Sequence, residues 1–84
     1  PEASISWELK ALDEGLFIHI QSKYLTRQVQ LEYRGATEVR FENNFFDLLP
    51  GEEKLIQIHK RSRDHFNRDQ LLIRSLNDFV KLND

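Results

Sequence analysis

Eighty-four residues with 12 basic and 14 acidic side chains, a net charge of −2, suffice for one small domain and give no general pull toward nucleic acid or anionic membrane. The absence of cysteine excludes disulfides and thiolate metal sites, and no apolar run nears the roughly 20 residues of a membrane span. A domain of this length buries only about 60% of the surface its unfolded chain exposes, so its independent stability is modest.

The chain opens with Ser4-Ile5-Ser6-Trp7-Glu8-Leu9-Lys10, which alternates cleanly and predicts a half-buried strand with Ile5, Trp7 and Leu9 on one face. Trp7 has the apolar face and N–H donor of a sugar platform, but its two apolar neighbours on that face favour packing. Asp13-Glu14-Gly15 supplies a turn into a second strand, Leu16–Gln21, with Leu16, Ile18 and Ile20 together. His19 in that strand has no second ligand two residues on, so it reads as a surface or interface histidine rather than a metal ligand. Leu25–Arg34 predicts a third strand with Leu25, Val29, Leu31 and Tyr33 on one face and Thr26, Gln28, Gln30 and Glu32 on the other. Arg27 interrupts the apolar face, where a strand end or a bulge lets it reach solvent. Gly35-Ala36 turns the chain and Val39–Phe41 forms a short strand.

The stretch Asn43, Asn44, Phe45, Phe46, Asp47, Leu48, Leu49, Pro50, Gly51 and Glu52 is too apolar for a solvated loop and too rich in turn residues for a regular strand or helix. It predicts an irregular structural corner with one phenylalanine, Phe45 or Phe46, pointing between the sheets. Leu49-Pro50-Gly51-Glu52 has type II turn chemistry, with proline setting φ at the first central position and glycine taking positive φ at the second. Asp47 is placed to accept a backbone N–H two residues on.

These residues resemble the signature of the immunoglobulin-like C-terminal domain of β-mannosidases in glycoside hydrolase family 2. The resemblance continues in order through Leu25-Thr26-Arg27-x-Val29-x-Leu31 and a strand ending Arg74-Ser75-Leu76. The chain departs from the pattern at Asn43, where the family is expected to carry Asp, which leaves the turn intact and removes a charge. The resemblance implies a non-catalytic β-sandwich appended to a sugar-cleaving enzyme.

Beyond the corner, Glu52–His59 predicts a strand with Ile56 and Ile58 inward, and Gln70–Leu76 a final strand with Leu71 and Ile73 inward. Between them His59–Asp69 is polar and locally basic, with Asp64 and Asp69 offsetting the charge, and reads as a solvated hairpin loop. A phosphate-binding role with Phe66 stacking on a base is the weaker reading. His59, His65, Asp64 and Asp69 match no metal spacing. Asn77-Asp78 ends the strand, and Phe79–Leu82 forms a tail that tucks back or frays. If the last two strands are hairpin neighbours, Leu55, Leu72 and Leu76 gather on one outer face and make a candidate domain-docking surface.

Six strands and a seventh short pairing around the corner, spaced by about ten residues, predict an all-β, immunoglobulin-like antiparallel β-sandwich. Residues 1–84 are expected to form this single domain. A start at Pro1 and the lack of any methionine read as an excised piece or a processed product, and the resemblance implies that it is a C-terminal fragment of a larger, soluble hydrolase. An exported, periplasmic or lysosomal parent is compatible with these features.

Glycoside hydrolysis needs two carboxyl groups facing a sugar, roughly 5–9.5 Å apart, whereas the acids here sit at turns, strand ends and outer faces. The expected catalytic, cofactor and metal residues of this domain are therefore none. Its expected partners are the neighbouring domains of the same chain. A β-mannoside is met only through the parent enzyme, and neither nucleic acid nor membrane is expected. The competing reading is a carbohydrate-binding module of the same enzyme, or an unrelated β-sandwich interaction domain.

Overall fold

The computed structural model describes residues 5–61 and 63–76. Among them lie seven strands: β1 (Ile5–Leu12), β2 (Gly15–Ser22), β3 (Thr26–Tyr33), β4 (Arg40–Phe41), β5 (Phe46–Leu48), β6 (Glu53–His59) and β7 (Leu71–Arg74). They form a four-stranded sheet in the order β1-β2-β6-β4 and a three-stranded sheet in the order β5-β3-β7, with every pairing antiparallel. This is the expected all-β, immunoglobulin-like sandwich. The tail Phe79–Leu82, and the strand end at Asn77-Asp78, lie outside the described residues.

Alternation of apolar and polar residues decides which faces meet. Ile18 and Ile20 of β2 and Ile56 and Ile58 of β6 are buried from one sheet. Val29 and Leu31 of β3, Phe46 and Leu48 of β5 and Leu71 of β7 are buried from the other. Each such side chain removed from water stabilises the sandwich by about 1.5–3 kcal/mol before conformational entropy is subtracted. Trp7 is half-buried against this core, and the Arg68 guanidinium lies 5.0 Å from its ring centroid, so packing occupies the ring.

Among the described residues the β1–β2 hairpin is the one link between strands that stays within a sheet; from β2 to β7 every connection crosses to the opposite sheet. Two expectations fail for that reason. First, β6 and β7 are not hairpin neighbours, because they belong to different sheets. Their connection, residues 60–70, carries the chain across the sandwich instead. It is not merely solvated: Phe66 is buried and stacks on Tyr33 with centroids 4.5 Å apart and planes 19° apart. Asn67 opens the short 3-10 turn Arg68–Gln70, its side chain accepting the Asp69 N–H at 3.0 Å.

Second, β3 does not keep one parity along its length. Thr26 pairs with Leu48 and Val29 with Phe46, so Arg27 and Gln28 together face Asp47 across a bulge. Gln28 takes the left-handed region at φ +53°. The extra residue turns the early part of the strand over, so Thr26 is buried and Leu25 is exposed, the reverse of strict alternation.

Candidate functional site

The corner is built from two latches. In the downstream one, the Glu52 N–H donates to the Leu49 carbonyl at 2.9 Å while Gly51 sits at φ +78°, the geometry of a type II turn. A Cβ at Gly51 would meet nothing within 4 Å, so backbone angle alone, not space, asks for glycine there. The Glu52 carboxylate turns back to accept the Leu49 N–H at 2.9 Å, and Lys54 Nζ lies 3.4 Å from it. The Leu49 N–H first, and Lys54 after it, hold this carboxyl below its ordinary value against a smaller opposing effect of burial. The Gly51 N–H donates to the Ser22 carbonyl at 2.8 Å, fastening the turn to the end of β2.

The upstream latch is a side chain acting as a strand. Asn44 Oδ1 accepts the Leu31 N–H at 2.7 Å and Asn44 Nδ2 donates to the Leu31 carbonyl at 2.9 Å. These two bonds satisfy the edge of β3 just beyond its pairing with β5, where a backbone partner would otherwise sit. The same Oδ1 accepts the Phe45 N–H at 3.0 Å, and Asn43 Oδ1 accepts the Asn44 N–H at 2.9 Å, a bond that an aspartate oxygen would make equally well. Phe45 then adopts φ +54°, costly for a bulky side chain, and stands 62% exposed. Its neighbour Phe46 enters the core, with Lys54 Nζ 5.6 Å from its ring centroid.

Two expectations about the corner need correction. Phe46–Leu48 is a regular short strand, not irregular chain, because β3 offers it a ladder. Asp47 does not hold the N–H two residues on; that donor belongs to Glu52. Asp47 Oδ1 instead accepts the Gln28 N–H at 2.9 Å and so closes the β3 bulge. The bulge and the corner are thus one unit, joined by a bond that spans 19 positions of sequence and leaves no local signature.

The expected docking face is divided. Leu55 pairs with His19 on the outer side of the four-stranded sheet and is 48% exposed. Leu72 pairs with Glu32 in the three-stranded sheet, with Leu76 exposed two residues beyond β7. Leu55 therefore cannot share a face with Leu72 and Leu76, because the sandwich lies between them. Around Leu55 the surface is polar: His19 Nε2 lies 2.6 Å from Glu53 Oε1, and its Nδ1 lies 3.8 Å from Glu8 Oε1.

Several other acids are also engaged by neighbours: Glu32 with Arg34, Glu42 with His59 and Arg40, and Asp64 with Arg61. No group of three or more His, Asp or Glu among the described residues is arranged to hold a metal. At the end of the sandwich where β3 leaves off, an open hollow of about 370 Å³ is lined by Tyr33, Arg34, Gly35, Ala36, Thr37, His65, Asn67 and Gln70. Its wall is structural: Tyr33 accepts the Asn67 N–H on its hydroxyl at 2.9 Å, and Gly35 lies so near the Tyr33 ring that a Cβ would collide with it.

Comparison with known proteins agrees with this architecture. No curated protein matches the chain. The family model Ig_mannosidase, described as an Ig-fold domain, matches residues 1–79. With nearly the whole chain covered, and with the corner seated at the crossing between two antiparallel sheets, the protein belongs to the mannosidase-type Ig-fold domain family.

Proposed function

We propose that this domain is the non-catalytic accessory β-sandwich of a β-mannosidase-like glycoside hydrolase, and that its work is to pack against neighbouring domains and stabilise the parent. The observation that carries this reading is the use made of the corner's polar groups. Asn44, Asp47 and Glu52 each spend a side-chain oxygen on backbone N–H groups of the domain itself. A recognition or catalytic site keeps such groups turned toward a ligand; here they hold one backbone conformation.

The test is to delete residues 1–84 from the parent enzyme and compare melting temperature and hydrolysis of an aryl β-mannoside. The accessory reading expects a lowered melting temperature with the turnover of surviving folded enzyme little changed. Unchanged melting would sink it. Titration of manno-oligosaccharides into the 84-residue chain addresses the competing reading, since saturable amide shifts at sub-millimolar ligand would make the domain a carbohydrate-binding module.

A further inference from the structure

The two sheets guard their edges unequally. In the three-stranded sheet the edge strands are short, β5 with three residues and β7 with four, and Asn44 bonds the β3 backbone beyond β5. The four-stranded sheet ends on one side in β4, two residues long, and on the other in β1, which runs for eight. β1 keeps one unbroken register with β2 from Ile5 to Leu12, without a bulge or a proline. Among the described residues nothing bonds to the backbone of its outer edge. A long, regular, unpaired edge is a template for another strand.

The groups that this edge offers follow from the ladder. The Glu42 N–H donates to the Gln57 carbonyl at 2.9 Å, so Gln57 turns its backbone toward β4, and Ile56 and Ile58 turn theirs toward β2. Alternation across β2 then makes Glu8–His19 and Lys10–Phe17 hydrogen-bonded pairs of the β1–β2 ladder. The N–H and C=O groups left on the open edge are those of Ile5, Trp7, Leu9 and Ala11. Trp7 and Leu9 pack against the core, so Glu8 and Lys10 stand together on the outer face, 3.6 Å apart.

We propose that the edge of β1 pairs antiparallel with β1 of a second copy of this chain, about a two-fold axis at Leu9. Charge selects both the occupant and the register. With Leu9 opposite Leu9, Trp7 meets the small Ala11, and Glu8 of each copy stands opposite Lys10 of the other. Those charged pairs fall at non-hydrogen-bonded positions, where opposed side chains come closest. The neighbouring registers that still use the open groups set Glu8 against Glu8 or Lys10 against Lys10, and like charges directly opposite repel. The seam joins the four-stranded sheets of the two copies into one continuous sheet. This pairing goes beyond the accessory reading and does not depend on it. One strand seam is small beside the roughly 1,200 Å² of a stable interface, so the dimer is weak and half-formed at about 0.1–1 mM chain.

The experiment is sedimentation equilibrium of the 84-residue chain up to about 1 mM, read beside amide hydrogen exchange. Exchange at Trp7, Leu9 and Ala11 is expected to slow as concentration rises, while Glu8 and Lys10, already bonded to β2, stay unchanged. Glu8→Lys alone and Lys10→Glu alone are each expected to weaken association about tenfold, since each turns attractive pairs into repulsive ones. An equimolar mixture of these two variants is expected to restore it, because unlike charges face each other again. Ala11→Pro removes an edge N–H, leaves the β1–β2 ladder whole, and is expected to abolish the dimer. A chain that stays monomeric at every concentration overturns the pairing. So does a dimer that Ala11→Pro or the single charge variants leave at wild-type strength, and so do charge variants that remain apart when mixed. Far-ultraviolet dichroism checks that each variant is folded. If a charge variant is not, Ala11→Pro and the concentration dependence of exchange decide; if Ala11→Pro is not, the charge mixture decides.

Discussion

The corner, residues 43–52, takes the chain from the four-stranded sheet to β5 and back to β6, the β6–β7 connection, residues 60–70, takes it across once, and each sends one phenylalanine into the core. They are held in different ways. The corner is fixed mainly by side chains bonded to backbone: Asn44 to Leu31, Asp47 to Gln28 and Glu52 to Leu49. The β6–β7 connection adds an aromatic stack, Phe66 on Tyr33, to polar bonds of its own: the Tyr33 hydroxyl accepts the Asn67 N–H, Asn67 accepts the Asp69 N–H and Lys60 donates to the Asp64 carbonyl, while Arg61 pairs with Asp64 near the surface. A polar group bonded to strand backbone fixes a conformation, whereas an exposed ion pair mostly follows one.

The largest effects should be shared by both regions. Phe46→Ala and Phe66→Ala should each cost about 3–5 kcal/mol in urea melts, through lost transfer energy and the cavity left behind. That is a large fraction of the roughly 5–15 kcal/mol available to a small domain. Phe45→Ala should cost far less, since its ring is 62% exposed. A large loss from Phe45→Ala would overturn the assignment of Phe46 as the inward ring.

The polar substitutions separate the two regions. Asn44→Ala should cost about 2–3 kcal/mol, because both the Leu31 N–H and the Leu31 carbonyl lose their partner at a partly buried edge. Asn44→Asp should rescue only part of this: it keeps the acceptor for the N–H but sets a carboxylate against the carbonyl. Gly51→Val should cost about 1–3 kcal/mol from positive φ alone, as the space around it is open. If its urea midpoint equals wild type, the turn is not what demands glycine.

Glu52 gives the corner a pH dependence. Its carboxyl is held below the ordinary value of 4.5 in the folded chain, chiefly by the Leu49 N–H. The unfolded chain therefore binds the proton more readily. The stabilisation is fully present above that ordinary value and is lost as pH falls through the lowered folded one. Urea midpoints taken from about pH 6 down to about pH 3 should fall more steeply for wild type than for Glu52→Gln. Equal slopes would show that the carboxylate does not latch the turn. The smallest effect belongs to the connection: Arg61→Ala should change stability by less than about 1 kcal/mol, since the Arg61 side chain is 71% exposed.

What sequence disclosed follows the same division. Pro50-Gly51 announced its turn because both residues restrict or release φ locally, and the sandwich was legible because each strand alternates over its own few residues. The partners of Asn44 and Asp47 were not legible, since they lie 13 and 19 positions away on β3. Arg27 marked an interruption in β3, but alternation alone does not show that the strand turns over there. The hairpin expected between β6 and β7 failed on a signal that was present. A connection running from residue 60 to 70 is longer than the usual two to five residues of a hairpin loop, and a buried aromatic within it already implied a path across the core.

The seat of Trp7 has an optical consequence. It is the single tryptophan of the 84 residues, and it lies under Arg68, which the β6–β7 connection supplies. Its emission therefore reports on that connection, and a cation over the indole face makes the signal sensitive to whether the connection is closed. Fluorescence and far-ultraviolet dichroism should coincide on unfolding if the crossing is as firm as the corner, and the fluorescence change should come first if residues 60–70 let go before the sheets do. The chain thus carries, without any added label, an optical reporter on the β6–β7 connection.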